Sequence, residues 1–229
     1  MSIILQKFIS QSGHCSRRKA EQLIREKMVT VNDKLAELGM KINENDGVYI
    51  GKTKIQPLAE KIYIILNKPA GYTCTNRKFK GEKNIFELVP AYPSLHAVGR
   101  LDKNSRGLLL LTNDGELTQK LTHPKYEHEK KYKVKIKEAK ININLIINNM
   151  KSGIDIGDGD GTVKVKNIMY IKNNTFLIIL TEGKKRQIRR MFTVLGYKIE
   201  DLVRIAMGKL ELKNLPEGKY KHISLKNIY

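Results

Sequence analysis

An aspartate among arginines, in a loop bracketed by glycines, is the densest concentration of chemistry in this chain. The segment reads Gly99-Arg100-Leu101-Asp102-Lys103-Asn104-Ser105-Arg106-Gly107 and runs into the apolar stretch Leu108 to Thr112. An arbitrary loop aspartate most often caps a turn. Here two glycines, two arginines and an apolar strand surround it, an arrangement that holds a carboxylate rigidly at the floor of a cleft. An ionised carboxylate in such a place can add to an electrophilic carbon or accept a proton.

A second segment, Glu182-Gly183-Lys184-Lys185-Arg186-Gln187-Ile188-Arg189-Arg190-Met191, concentrates positive charge at an expected strand-to-helix junction. A charge run is usually a solvated helix face. At such a junction, however, backbone amides and arginines can clamp a phosphate or a carboxylate. Other constellations fail. Asp155, Asp158 and Asp160 with Gly159 and Gly161 hint at a calcium loop, but the twelfth position counted from Asp158 is Met169 rather than Glu, so a polar hairpin is expected. The five histidines lack zinc spacing, Cys15 and Cys74 form no CxxC pair, and no phosphate-binding glycine loop is present. No metal site and no cofactor are expected.

The charge balance agrees with a polyanionic partner. Lys and Arg number 43 against 23 Asp and Glu, a net charge of +20, which attracts phosphate backbones in a salt-dependent way. Nucleic acid is favoured over an anionic membrane surface. The chain is rich in Lys, Asn and Ile, and against that background its arginines gather in three places: Arg17-Arg18, Arg100 with Arg106, and Arg186 with Arg189-Arg190. Each marks a position where a planar, multi-donor guanidinium is wanted. No apolar run approaches the roughly 20 residues of a membrane-spanning helix, and no secretory pattern opens the chain. Two well-separated cysteines read as free thiols in a reducing cytoplasm.

The elements that position these segments fall into two parts. Residues 1–58 read as a small module. Leu5, Phe8 and Ile9 have helical spacing, with Gly13 as the stop, and Ser16 caps a helix over Arg17 to Glu26. Val29-Thr30-Val31 and Val48-Tyr49-Ile50 read as strands. Gln56 to Ala59 is a linker, and residues 60–229 form the larger part. Its strands are expected at Ile62 to Leu66, Gly107 to Thr112, Tyr132 to Ile136 (alternating with lysines) and Phe176 to Leu180. Short helices are expected before Pro124 and over Arg189 to Val194, the latter ended by Gly196. Without a regular βαβ repeat, the class is α+β, with a mainly antiparallel mixed sheet flanked by helices.

Taken together, Gly99 to Thr112 and Glu182 to Met191 resemble the RsuA/RluB type of ribosomal RNA pseudouridine synthase. Ser16-Arg17-Arg18-Lys19-Ala20-Glu21 with Val29-Thr30-Val31-Asn32 resembles the S-four-type (αL) RNA-binding module that precedes the catalytic domain there. Lys68-Pro69-Ala70-Gly71 and His123-Pro124 to Tyr132 also match, so the resemblance spans essentially the whole chain. It implies an RNA isomerase in which Asp102 is the essential carboxylate. It further implies that Arg100 fills the gap left by a flipped base, Tyr132 stacks on the uracil, and Arg189 pairs with Asp102, with Arg186 and Arg190 as competitors for that pairing. Ser105 stands where the family usually has Thr, which keeps the hydroxyl. Ile4 replaces a usual basic residue, and Asp33 a usual Gly.

The expectations are a cytoplasmic, monomeric, cofactor-free enzyme acting on ribosomal RNA. Large-subunit RNA is expected from the likeness across His123 to Tyr132; small-subunit RNA, or a non-enzymatic ribosome-associated RNA-binding factor, is the alternative. RNA contacts fall to Lys7, Arg17, Arg18 and Lys19 in the module, and to Lys184, Lys185, Arg186 and Arg190 in the larger part. A DNA-binding protein is disfavoured, because no helix-turn-helix spacing appears.

Overall fold

Alternation of apolar and polar residues lays out most of the sheet that carries the site. In the computed structural model, which describes residues 2–58, 60–77 and 79–228, the chain divides into two units. One gathers Met1–Ile62 with Ala91–His96 and Thr112–Leu117; the other holds the remainder.

In the first unit, helices Leu5–Gln11 and Arg17–Arg25 precede a four-stranded antiparallel sheet. The second helix starts where Ser16 Oγ accepts from the Lys19 amide, the expected cap. Leu5, Ile9, Ala20, Ile24, Val29, Ile42 and Val48 fill the core. Strands Val29–Val31 and Val48–Ile50 pair at the centre of the sheet, and Asn32 and Asp33 both take positive φ in the turn to Lys34–Leu35. An aspartate tolerates that left-handed conformation better than most residues, so Asp33 can stand where glycine is usual.

The second unit is built on a mixed sheet of nine strands. Along its main path run Asn167–Lys172, Thr175–Leu180, Lys130–Ile136, Ile199–Met207, Arg106–Thr112, Tyr63–Lys68 and Tyr220–His222. Pairing is antiparallel from Asn167–Lys172 through Ile199–Met207, and parallel where that last strand meets Arg106–Thr112. Strand Lys130–Ile136 buries Tyr132, Val134 and Ile136 and exposes Lys133 and Lys135, as its alternation requires. Helices Ile143–Ser152 and Gln187–Val194 contribute Ile146, Met150, Ile188, Met191 and Phe192 to one core with these strands.

Four of these elements escape the sequence reading: helix Ile143–Ser152 and strands Asn167–Lys172, Tyr220–His222 and Ile199–Met207. The last carries Arg204, whose charge interrupts the apolar pattern of a buried strand. At the parallel junction Gly107 lies opposite Arg204 with φ +106°, and a Cβ there would collide with the Arg204 backbone. Only glycine permits this approach.

Candidate active site

Strand, loop and helix converge on Asp102. The loop from Gly99 to Ser105 enters strand Arg106–Thr112 through a turn closed by the Ser105 amide on the Asp102 carbonyl, at 3.0 Å. Beneath the loop lies Lys68, fully buried at the end of strand Tyr63–Lys68. Its ammonium donates to the carbonyls of Ser105 (2.7 Å), Pro69 (3.0 Å), Lys103 (3.1 Å) and Asp102 (3.2 Å). The Gly71 amide adds a bond to the Lys103 carbonyl. The Lys68-Pro69-Ala70-Gly71 match is thus a clamp that holds the backbone under the carboxylate. Burial, partly opposed by Asp102 and other charges, pushes the Lys68 ammonium down to about 8.

Two arginines face the carboxylate. Arg189 Nε lies 3.9 Å, and Arg186 Nη1 4.0 Å, from Asp102 Oδ2. Arg189 is itself braced: its Nη2 donates to the Asn104 carbonyl (2.8 Å) and to Ser105 Oγ (3.3 Å), which gives the Ser105 hydroxyl a role. Nε of Arg189 is buried without a hydrogen-bond partner. Burial, and then the neighbouring Arg186, pull the Arg189 guanidinium below its ordinary range, while Asp102 opposes them. At these separations the carboxylate feels two positive charges, yet among the described residues no short guanidinium hydrogen bond occupies its lone pairs. Its oxygens remain available for chemistry.

The two arginines are presented by the junction that the sequence singled out. Gln187, 3% exposed, accepts from the Lys184 amide through Oε1 and donates to Glu182 through Nε2. This ties the turn from Glu182 to Arg186 onto helix Gln187–Val194. Arg186 takes the left-handed conformation before the helix, with φ 53°. Lys184, Lys185 and Arg186 are exposed at this rim, as is Arg100. Tyr132, only 9% exposed, lines the same cavity of about 620 Å³ as Asp102, Arg100, Arg186, Arg189 and Lys184.

Not every arginine that the sequence grouped here reaches the site. Arg190 turns away, to the hairpin of strands Ile154–Asp155 and Thr162–Val163. It donates to the Ile156 and Gly157 carbonyls and to Asp160 Oδ2 at 2.6 Å, and Asp158 lies 3.5 Å away. With its guanidinium so taken up, it is a brace for that loop, neither the partner of Asp102 nor a free RNA contact. Arg106 is likewise occupied, forming paired bonds with Asp201 and a third with Glu217. In the first unit Arg17, Arg18 and Lys19 are exposed, whereas the Lys7 ammonium pairs with Glu116 at 2.8 Å. Lys7 therefore offers RNA less free charge than the other three.

The pocket also holds residues that motif reading passed over. Arg204, Lys130 and Cys74 line its interior. Burial raises the Cys74 thiol, and burial followed by the Arg204 charge lowers Lys130. Arg204 lies outside the three arginine groups, and a lone charge within a strand was the only available signal. Among the described residues no group of His, Cys, Asp and Glu could hold a metal ion, and no helix is long and apolar enough to cross a membrane.

A carboxylate on a clamped loop, two guanidiniums facing it, an aromatic wall and a basic rim define an enzyme that acts on a nucleotide within a polyanion. Comparison with known proteins gives the class its name. Residues 62–193 match the RNA pseudouridylate synthase family model, and residues 5–48 match the S4 domain model. An uncharacterized RNA pseudouridine synthase of Aquifex aeolicus is 40% identical over 98% of this chain and 91% of its own length. The ribosomal large subunit pseudouridine synthase B of Bacillus subtilis is 37% identical over 96% of this chain and 91% of its own. A crystal structure of a pseudouridylate synthase superposes with a TM-score of 0.71 at 29% identity, covering 99% of this chain and 98% of the other. The chain belongs to the RNA pseudouridylate synthase family, joined here to an S4 domain, and is an isomerase that converts uridine to pseudouridine.

Proposed function

We propose that this enzyme isomerises a uridine of large-subunit ribosomal RNA, with Asp102 as its catalytic carboxylate. The choice of RNA rests on the Bacillus subtilis relative, whose likeness runs nearly end to end in both chains. The reaction breaks the bond between uracil N1 and ribose C1′, turns the base and rejoins it through C5. It neither oxidises nor hydrolyses, so its demands are positional and electrostatic. Asp102 meets the electron deficit at the sugar. Arg189 and Arg186 hold compensating charges about 4 Å away. The target base must first leave its stack, at a cost of a few kcal/mol. Exposed Arg100 fills the vacated space, and Tyr132 offers its ring to the flipped uracil.

Lys184, Lys185 and Arg186 at the rim, with Arg17, Arg18 and Lys19 of the N-terminal unit, take phosphates. Residues 1–58 act as the RNA-binding domain and 60–229 as the catalytic domain. Two free thiols and the RNA substrate suit a cytoplasmic enzyme, and we assign it a monomeric state. Chemical mapping of pseudouridines in ribosomal RNA, in cells with and without the gene and in transcripts treated with purified protein, tests the reading. One large-subunit position that depends on the protein is expected. A dependent position confined to small-subunit or transfer RNA would overturn the choice of substrate.

A further inference from the structure

Arg204 is a buried charge for which no ion pair is found among the described residues. It sits mid-strand in Ile199–Met207, 2% exposed, opposite Tyr132 on one side and Gly107 on the other. Strand geometry places it on the same face as Leu202, and both line the Asp102 cavity. Its Nε donates to the Leu108 carbonyl at 2.8 Å, a reach made possible by the close approach at Gly107. Nη2 is buried without a hydrogen-bond partner, and no carboxylate forms an ion pair with Arg204 among the described residues.

Nor is it the only cation there. Lys130 lines the same interior, with its ammonium on the His128 carbonyl at 3.2 Å, and Lys68 lies close enough to feel the Arg204 charge. A buried guanidinium without a counter-ion is costly, and an apolar residue would pack the strand better. The pocket interior is a positive site awaiting a negative guest, set deeper than the rim where phosphates bind.

The proposed reaction supplies one. When the N1–C1′ bond breaks, its electron pair leaves with the base. Asp102 covers the deficit on the ribose, either by bonding to C1′ or by accepting the C2′ proton. In both cases the base becomes a uracil anion, with its charge shared between N1 and the two exocyclic oxygens. The base then turns and C5 bonds to C1′, either displacing the Asp102 carboxylate from C1′ or adding as Asp102 returns the proton to C2′. C5 then gives up its proton to solvent and N1 takes one up. We propose that Arg204, with Lys130 beside it, is a catalytic residue that binds an exocyclic oxygen of the target uracil and stabilises the anion formed on glycosidic cleavage. This rests on the assignment of Asp102 and the uracil to this cavity. It adds to the reaction an electrostatic partner on the base side, opposite the carboxylate on the sugar side. Such a preorganised donor acts where charge develops, so its effect falls on the rate rather than on RNA affinity.

The test uses full-length protein and a stem-loop carrying the mapped target as uridine or as 5-fluorouridine, in single turnover at saturating RNA. The readout is decay of the N-linked nucleoside after nuclease digestion. Arg204→Gln should slow uridine on the order of 100-fold, with RNA affinity unchanged within about threefold. Fluorine itself stabilises the uracil anion, so the same variant should lose less than about tenfold on 5-fluorouridine. Arg204→Lys keeps the charge and should recover part of the rate. If the glutamine variant melts below assay temperature, the lysine variant carries the same comparison of the two bases.

Equal losses on both bases, or weakened RNA binding with an intact rate, would overturn the assignment. Failure of the wild-type protein to form pseudouridine, or an active Asp102→Asn variant, would count instead against the reading of the site on which it rests.

Discussion

At the scale of single residues, the site separates charge from geometry. Asp102→Asn preserves size and removes the negative charge that both facing arginines sense. Isomerisation should fall to background while RNA binding, measured by filter retention, survives within a few-fold. Near-normal turnover by that variant would remove Asp102 from the mechanism. The two arginines assigned to Asp102 and to the flipped base should fail differently. Arg189 braces the loop through Asn104 and Ser105 and faces Asp102 at 3.9 Å, so Arg189→Ala should lower the rate on duplexed and unpaired targets alike. Arg100 is exposed and its guanidinium makes no ion pair among the described residues, which suits insertion into RNA. Arg100→Ala should be rescued by a target whose uridine is already unpaired, because flipping then costs little. Identical behaviour of the two variants on both targets would show that the roles are wrongly divided.

At the scale of elements, two approaches hold the site, and each has a stability signature. Gly107 brings strand Arg106–Thr112 against Arg204, so Gly107→Ala adds both a backbone collision and a strained φ. A loss of about 2–4 kcal/mol in urea unfolding is expected. Lys68 clamps the Asp102 loop, and its folded value of about 8 lies below the ordinary 10.5. As pH rises from about 8 to 10.5, the folded protein releases this proton while the unfolded chain keeps it. Linkage therefore makes stability rise with pH across that window. Compared with Lys68→Met, the wild-type protein should gain up to about 3 kcal/mol between pH 8 and 10.5. A flat difference between the two urea series would show that Lys68 is not held below its ordinary range. At pH 7.5 the methionine variant leaves the three loop carbonyls of Asp102, Lys103 and Ser105, and that of Pro69, without their shared donor, so its turnover should drop more than its RNA affinity.

At the scale of the whole molecule, charge and the division into units matter most. Residues 91–96 and 112–117 fold with the N-terminal unit, so truncation at 58 would strip cover from them. Charge removal is the cleaner test. Replacing exposed Arg17, Arg18 and Lys19 with Gln should weaken RNA binding and reduce the slope of log affinity against log salt by roughly 2–3, while turnover of the bound complex stays within a few-fold. An unchanged slope would mean that these side chains do not take phosphates.

Much of this was legible in the chain because it is written in local patterns. Alternation marked strand Lys130–Ile136, Ser16 marked a helix start, and two motifs marked Asp102 and the Arg186–Arg189 junction, whose side chains do come together. Local pattern also misled. Arg189 and Arg190 are adjacent and chemically alike, yet on a helix neighbouring side chains diverge by about 100°. One therefore faces Asp102 while the other ties down the hairpin from Ile156 to Asp160. Lys68 read as part of a strand stop, and Arg204 as an unremarked charge, because each is defined by groups 34 to 96 residues away. Sequence by itself determined the chemistry that was available, through which residue types stand in which local frame. Only the tertiary structure decided which charges are buried, which are paired and which remain free, because burial and pairing depend on strands distant in the chain lying side by side.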